Sequence, residues 1–200
     1  DYILYRAKKN LNSGDIIILP FEYQKWTWDG EEEETRRDYV LTHDKDFFLK
    51  ELSLKEKISM IYSVSPLNLL TSLREQISIT KEAELGKGYS SFTLNKNGDE
   101  TYKDGTLKKA YKPFELPEEY KTLGLEKIKD FDKWCKENNI RLFVTFPNTI
   151  NHKEYFQEPY NKYFNTLLEY FSENKIEVIG KPEDSLYPIN YFYDTNYHMN

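Results

Sequence analysis

A chain of 200 residues has the length of about one domain. Its 17 Tyr, 12 Phe and 3 Trp exclude a disordered chain, and its single cysteine, Cys135, excludes an internal disulfide framework and an all-cysteine zinc site. A net charge of −6 argues against nucleic acid as a partner.

Tyr2 to Leu11 reads as a helix, with Ile3, Leu4 and Ala7 on one face. Ser13-Gly14 ends it, and Asp15-Ile-Ile-Ile-Leu-Pro20 follows as a strand expected to be buried on both faces. Helix, tight turn and buried strand make half of a βαβ unit, so the preceding strand is expected ahead of Asp1. No signal peptide is visible at the start. The rhythm then breaks. Residues 24–119 read as a mixed α/β insertion within a single domain spanning 1–200, because their apolar content is too sparse for an independent core.

Within that stretch, Ser53-Leu-Lys-Glu56 has the form of a capping box opening a helix to about Tyr62. Ser65-Pro66 marks a second helix, to about Ile77, and Asn97-Gly98 marks the turn of a hairpin over Phe92 to Tyr102. Lys112 to Glu119 reads as a loop. Gly124 to Asn139 is then an amphipathic helix, with Leu125, Ile128, Phe131, Trp134 and Cys135 on its apolar face. Ile140 to Pro147 is a second buried strand. Asn151-His-Lys-Glu154 opens a helix running to Asn174, and Ile176 to Gly180 is a third strand. Strand–helix alternation with short connections predicts an α/β fold, a three-layer sandwich with a mainly parallel sheet. No apolar run approaches the roughly 18 residues of a membrane-spanning helix.

In such a sheet, chemistry sits beyond the carboxyl ends of the strands. Three segments reach that edge: Pro20 to Tyr23, Pro147 to Thr149, and the loop from Gly180 to His198. Glu22, Tyr23 and Asn148 are therefore candidate substrate-binding residues. Asp194 and His198 stand four apart in the last loop, where a carboxylate can orient an imidazole that serves as general base. Tyr23, Trp26 and Trp28 form an aromatic cluster past the first strand, suited either to stacking on sugar rings or to packing beneath the insertion. His152 reads as solvent-exposed, His43 lies in a charged loop, and the three histidines show no metal spacing, so neither a metal nor a cofactor is expected. Ser90 and Ser91 sit in the insertion, not after a strand. Cys135 reads as a buried structural thiol.

The order of Gly-Asp-Ile-Ile-Ile-Leu-Pro-Phe-Glu-Tyr23, a long insertion, Ile140-Arg-Leu-Phe-Val-Thr-Phe-Pro147 and the closing Tyr-Phe-Tyr-Asp-Thr-Asn-Tyr-His-Met-Asn200 resembles the SGNH/GDSL hydrolase-like proteins. It is most similar to the bacterial branch associated with acyl transfer or deacylation on cell-envelope polysaccharides. The resemblance covers the two ends of the chain. It implies an SGNH/flavodoxin-like fold that is incomplete at its N-terminal side, because that family's catalytic serine and oxyanion-hole glycine would lie ahead of Asp1. It implies His198 as general base and Asp194 as its partner. The family's usual acid stands three residues before the histidine, where this chain has Thr195. Its Gly-x-Asn-Asp motif is replaced by Pro20-Phe21-Glu22-Tyr23. The function implied is a serine esterase or O-acyltransferase portion, inert by itself, with an acylated saccharide as partner. The implied location is the cell envelope, with an anchor upstream compatible with the sequence. The competing expectation is a catalytically inactive relative that binds glycan or protein. A nucleotide-binding flavodoxin-like module is a weaker third, since no glycine-rich phosphate loop follows a strand.

Overall fold

The structure, a computed structural model, describes residues 2–30, 37, 39–41, 44–62, 111–120, 122–193 and 195–199. The chain divides into two compact units, one made of Asp1–Glu31 with Gly105–Asn200 and the other of Glu32–Asp104. The expected hairpin, the Ser65-Pro66 helix, His43, Ser90 and Ser91 lie outside the described residues.

The first unit has an α/β core. Helix α1 (Tyr2–Lys8) leads through Gly14, at φ 94°, into strand β1 (Ile16–Leu19). That φ is the left-handed region open to glycine, but α1 stops at Lys8, short of the expected Leu11, so Gly14 turns the chain into β1 and does not cap the helix. A short helix α2 (Tyr23–Trp26) follows. In the second unit, α3 (Lys45–Lys50) is capped by Asp44, whose carboxylate accepts from Phe47 N at 3.0 Å. The capping box forms as predicted at α4 (Leu54–Tyr62). Ser53 N donates to Glu56 Oε2 at 2.8 Å, and Glu56 N donates to Ser53 Oγ at 3.3 Å.

Back in the first unit, α5 (Leu123–Glu137) leads into β2 (Arg141–Thr145) and the short β3 (Thr149–Ile150). Residues 151–174 are not one helix. A 3₁₀ turn over Lys153–Phe156 precedes α6 (Tyr160–Glu173), with Pro159 at the helix N-cap. Proline lacks the N–H that a continuous helix would use and disfavours helical backbone in Glu158, so the helix restarts after it. Then come β4 (Glu177–Ile179) and β5 (Leu186–Tyr187).

β1, β2 and β4 form a parallel sheet in the order β1-β2-β4, and β3 and β5 form a separate parallel pair. The α/β class and mainly parallel pairing follow the sequence expectation. The helix-to-strand connections that follow α5 and α6 share one device. Asn139 and Lys175 take φ 56° and 55°, and Ile140 N and Ile176 N reach back to Cys135 O and Phe171 O at 2.8 and 2.9 Å. These are the six-to-one bonds of Schellman caps.

The strands are not buried on both faces. Leu19, Leu142 and Val144 share the covered face and pack with residues of α1, α5 and α6. Alternation puts Ile16, Ile18, Arg141, Phe143, Thr145, Glu177 and Ile179 on the other face. There Ile16 and Ile18 are 62% and 55% exposed. The second helical layer is absent from that face among the described residues. Trp26 and Phe114, inside the stretch read as insertion, belong to the core of the first unit.

Candidate functional site

Glu22 stands three residues past the end of β1, before α2. The C-terminal loop is closed by an antiparallel bridge between Phe192 and Met199 and by Tyr193 N donating to His198 O at 3.1 Å. Inside the loop, Thr195 Oγ1 accepts from Tyr197 N at 3.2 Å and from His198 N at 3.1 Å. A threonine hydroxyl bonding the backbone two and three residues on is a local turn that fixes the course of the chain.

Asn196 fixes the loop to its surroundings. Its side chain is 8% exposed. Oδ1 accepts from Tyr111 N at 3.1 Å, Nδ2 donates to Lys112 O at 3.0 Å, and its own carbonyl accepts from Ile150 N at 3.2 Å. One buried amide thus joins the loop to segment 111–112 while the backbone joins it to β3. Leaving such a group unpaired would cost about 1–3 kcal/mol, so the junction is specified.

Between these segments lies an open groove of about 730 Å³. Glu22, Lys112, Glu115 and His198 bring titratable groups to it, and Tyr111, Phe114 and Tyr197 bring aromatic rings. It lies beyond the carboxyl end of β1, where an α/β sheet places its ligands. His198 is exposed, with its ring stacked near that of Tyr193 at 5.8 Å between centroids. The Tyr197 phenol is held above its ordinary pKa by burial, with the Tyr155 phenol and the Glu22 carboxylate adding to the shift.

The structure brings Glu22 and His198 to one groove. It does not bring Tyr23 there. Tyr23 is fully buried, its ring stacked on Phe114 at 4.4 Å and edge-on to Trp26 at 5.5 Å. Burial holds its phenol far above the ordinary value. The expected substrate contact is a core residue, because α2 turns Tyr23 and Trp26 together inward. Of the two roles weighed for the aromatic cluster, packing holds for these two. Asn148 is exposed between β2 and β3 and is not part of the groove lining. Asp194 lies outside the described residues. His152, expected at the surface, is half-buried, and its covered Nε2 atom has no hydrogen-bond partner among the described residues.

Sequence reasoning missed Tyr111, Lys112 and Glu115, since they fall in a stretch with no periodic signal. It passed through Asn196 without marking it, although an asparagine inside a short polar loop is a recurrent loop-fixing residue. Among the described residues no group of three or more His, Cys, Asp and Glu side chains could hold a metal ion. No helix among them is long and apolar enough to cross a membrane. Comparison with protein-family models, with curated proteins and with solved structures finds no significant match.

Proposed function

We propose that this chain carries the base-bearing part of an SGNH-type serine esterase or O-acyltransferase acting on an acylated saccharide of the cell envelope. The observation that carries the reading is the position of His198. It lines, together with Glu22, an open groove past the carboxyl end of a parallel strand, in a loop whose course Thr195 and Asn196 fix. An imidazole held at such an edge can take the proton of a serine hydroxyl as it attacks an ester carbonyl, then return it to the leaving alcohol. Asp194 is the partner that would orient the ring. Water completes hydrolysis, or a sugar hydroxyl completes transfer.

The reading assigns the serine to a strand outside these 200 residues, on the side of β1 that has no strand neighbour among the described ones. It also assigns a further helical layer to the open face carrying Ile16 and Ile18, which would complete a three-layer sandwich. A second reading, a catalytically inactive glycan- or protein-binding relative, is favoured by one observation. The described lining of the groove supplies neither serine nor cysteine, and the Thr195 hydroxyl is engaged by two backbone N–H groups.

Labelling the full-length native protein with a serine-reactive fluorophosphonate, read by mass spectrometry, separates the two. The esterase reading expects one labelled serine outside these 200 residues, lost in His198→Ala. The 200-residue chain alone should take no label. A folded full-length protein that takes none overturns the serine mechanism and leaves the binding module.

A further inference from the structure

The charges and rings on the groove restrict what can occupy it. Glu22 enters from the β1 side, and Glu115 follows Phe114 on the segment that Asn196 anchors. Against these two carboxylates the described lining sets one lysine, Lys112. The described lining therefore carries more carboxylates than lysines, on a chain whose own net charge is −6. An anionic polysaccharide would enter against that field. The apolar part of the described lining is Pro113 and three aromatic residues, of which Tyr111 is 59% exposed. The residue sits on a backbone position fixed by the Asn196 amide, which keeps an exposed aromatic ring beside the groove for stacking. Aromatic faces beside carboxylates favour an ammonium group twice over, through the ring quadrupole and through charge.

We propose that the groove is a saccharide subsite selective for amine-bearing sugars, with Tyr111 as the stacking residue and Glu22 and Glu115 as the residues that read the amine. This rests on the saccharide part of the functional reading above and names its substrate class. It does not depend on the serine mechanism.

The test is a calorimetric titration of the protein with three hexamers. They are the glucosamine oligomer, its N-acetylated counterpart and an oligogalacturonate, each at low and moderate ionic strength and at a pH where the amine is charged. The glucosamine hexamer should bind tightest and the galacturonate weakest. The preference should shrink as salt is raised, because exposed pairs are screened over about 10 Å at 0.1 M. Glu22→Gln and Glu115→Gln should each reduce the preference for the amine by roughly two- to fivefold, the scale of an exposed ion pair, while leaving the affinity for the N-acetylated hexamer in place. Tyr111→Ala should weaken both of those oligomers together. Equal affinities for the three hexamers, a preference for the galacturonate, no binding of any, or an amine preference that survives both glutamine variants would each overturn the proposal. Fluorophosphonate labelling reports separately on the serine mechanism, so the two failures are distinguishable.

Discussion

His152 and Cys135 are two titratable side chains of the first unit whose burial has consequences that can be measured near neutral pH. The His152 ring lies edge-on to Tyr155 at 5.2 Å, with Nε2 buried and without a hydrogen-bond partner among the described residues. Burial holds its pKa below the usual histidine value, and the Glu154 carboxylate opposes that shift only in part. The unfolded chain then binds the proton more readily than the folded one. Stability from this group is complete above about pH 6.5, the unfolded value, and is lost as pH falls from there toward the lower folded pKa. Melting temperature measured from pH 7.5 down to 5 should decline, and His152→Gln should flatten the decline at its upper end. An unchanged slope in the variant would remove His152 as the cause. For Cys135, burial is the larger influence and Asp132 adds to it, against a smaller opposing effect of Lys8, so the thiol is pushed up to about 11. The thiolate is the reactive form, and this one is both scarce and covered. The chain's one cysteine should therefore resist a thiol-specific aromatic disulfide reagent in buffer and react fully in denaturant. Rapid reaction in buffer would contradict its placement against Phe131 and Leu142.

Two glycines at the ends of secondary-structure elements differ in what they tolerate. Gly124 sits in the first turn of α5, where its N–H donates to Trp28 O at 2.9 Å. Thr122, the N-cap, donates its hydroxyl to Trp26 O. A Cβ on Gly124 would lie 2.2 Å from Lys25 O and 3.0 Å from Trp26 O, both backbone atoms that cannot rotate away. Gly124→Ala should cost about 1–3 kcal/mol or more in urea denaturation, by prising α5 from α2. Gly14→Ala meets open space but a φ of 94°, so its cost should stay near 1–2 kcal/mol and come from backbone strain alone. A Gly124→Ala loss no larger than that of Gly14→Ala would mean that the α2–α5 contact yields easily. These elements also show which signals the sequence carries. The Ser53–Glu56 box, the apolar stripe of α5 and the β-branched run of β1 are local and periodic, and each appears where its pattern stands. The left-handed Lys175 carries no glycine to announce it. The two-residue strands β3 and β5 are too short to show a period, and they form because the loops they belong to meet in space.

At the scale of the whole molecule, legibility divides along the same line. Glu22 and His198 could be marked because they stand at strand ends and in a distinctive closing motif. Tyr111 and Lys112 are joined to the clasp of Asn196 across 85 and 84 positions of chain, bringing Glu115 along, and no local pattern encodes such a pairing. The misreading of Tyr23 has the same origin, since a residue just past a strand can turn outward or inward, and four residues of α2 turn it inward. The open sheet face is the other long-range feature. An Ile-Ile-Ile-Leu run reads as buried on both sides, yet Ile16 and Ile18 are exposed while Leu19 and Leu142 are covered by helices. Parallel sheets are ordinarily covered on both faces, which makes this asymmetry a measurable test of the layered architecture. In the 200-residue chain, Ile18→Thr should change stability by no more than about 0.5 kcal/mol, as for a surface site, whereas Leu142→Ala should cost about 2–5 kcal/mol. If a further helical layer covers the face in the full-length protein, Ile18→Thr should become destabilising there, because it would put a hydroxyl against an apolar neighbour. An Ile18→Thr that remains neutral in the full-length protein would sink the three-layer architecture and, with it, the structural ground for looking for a serine on an adjoining strand.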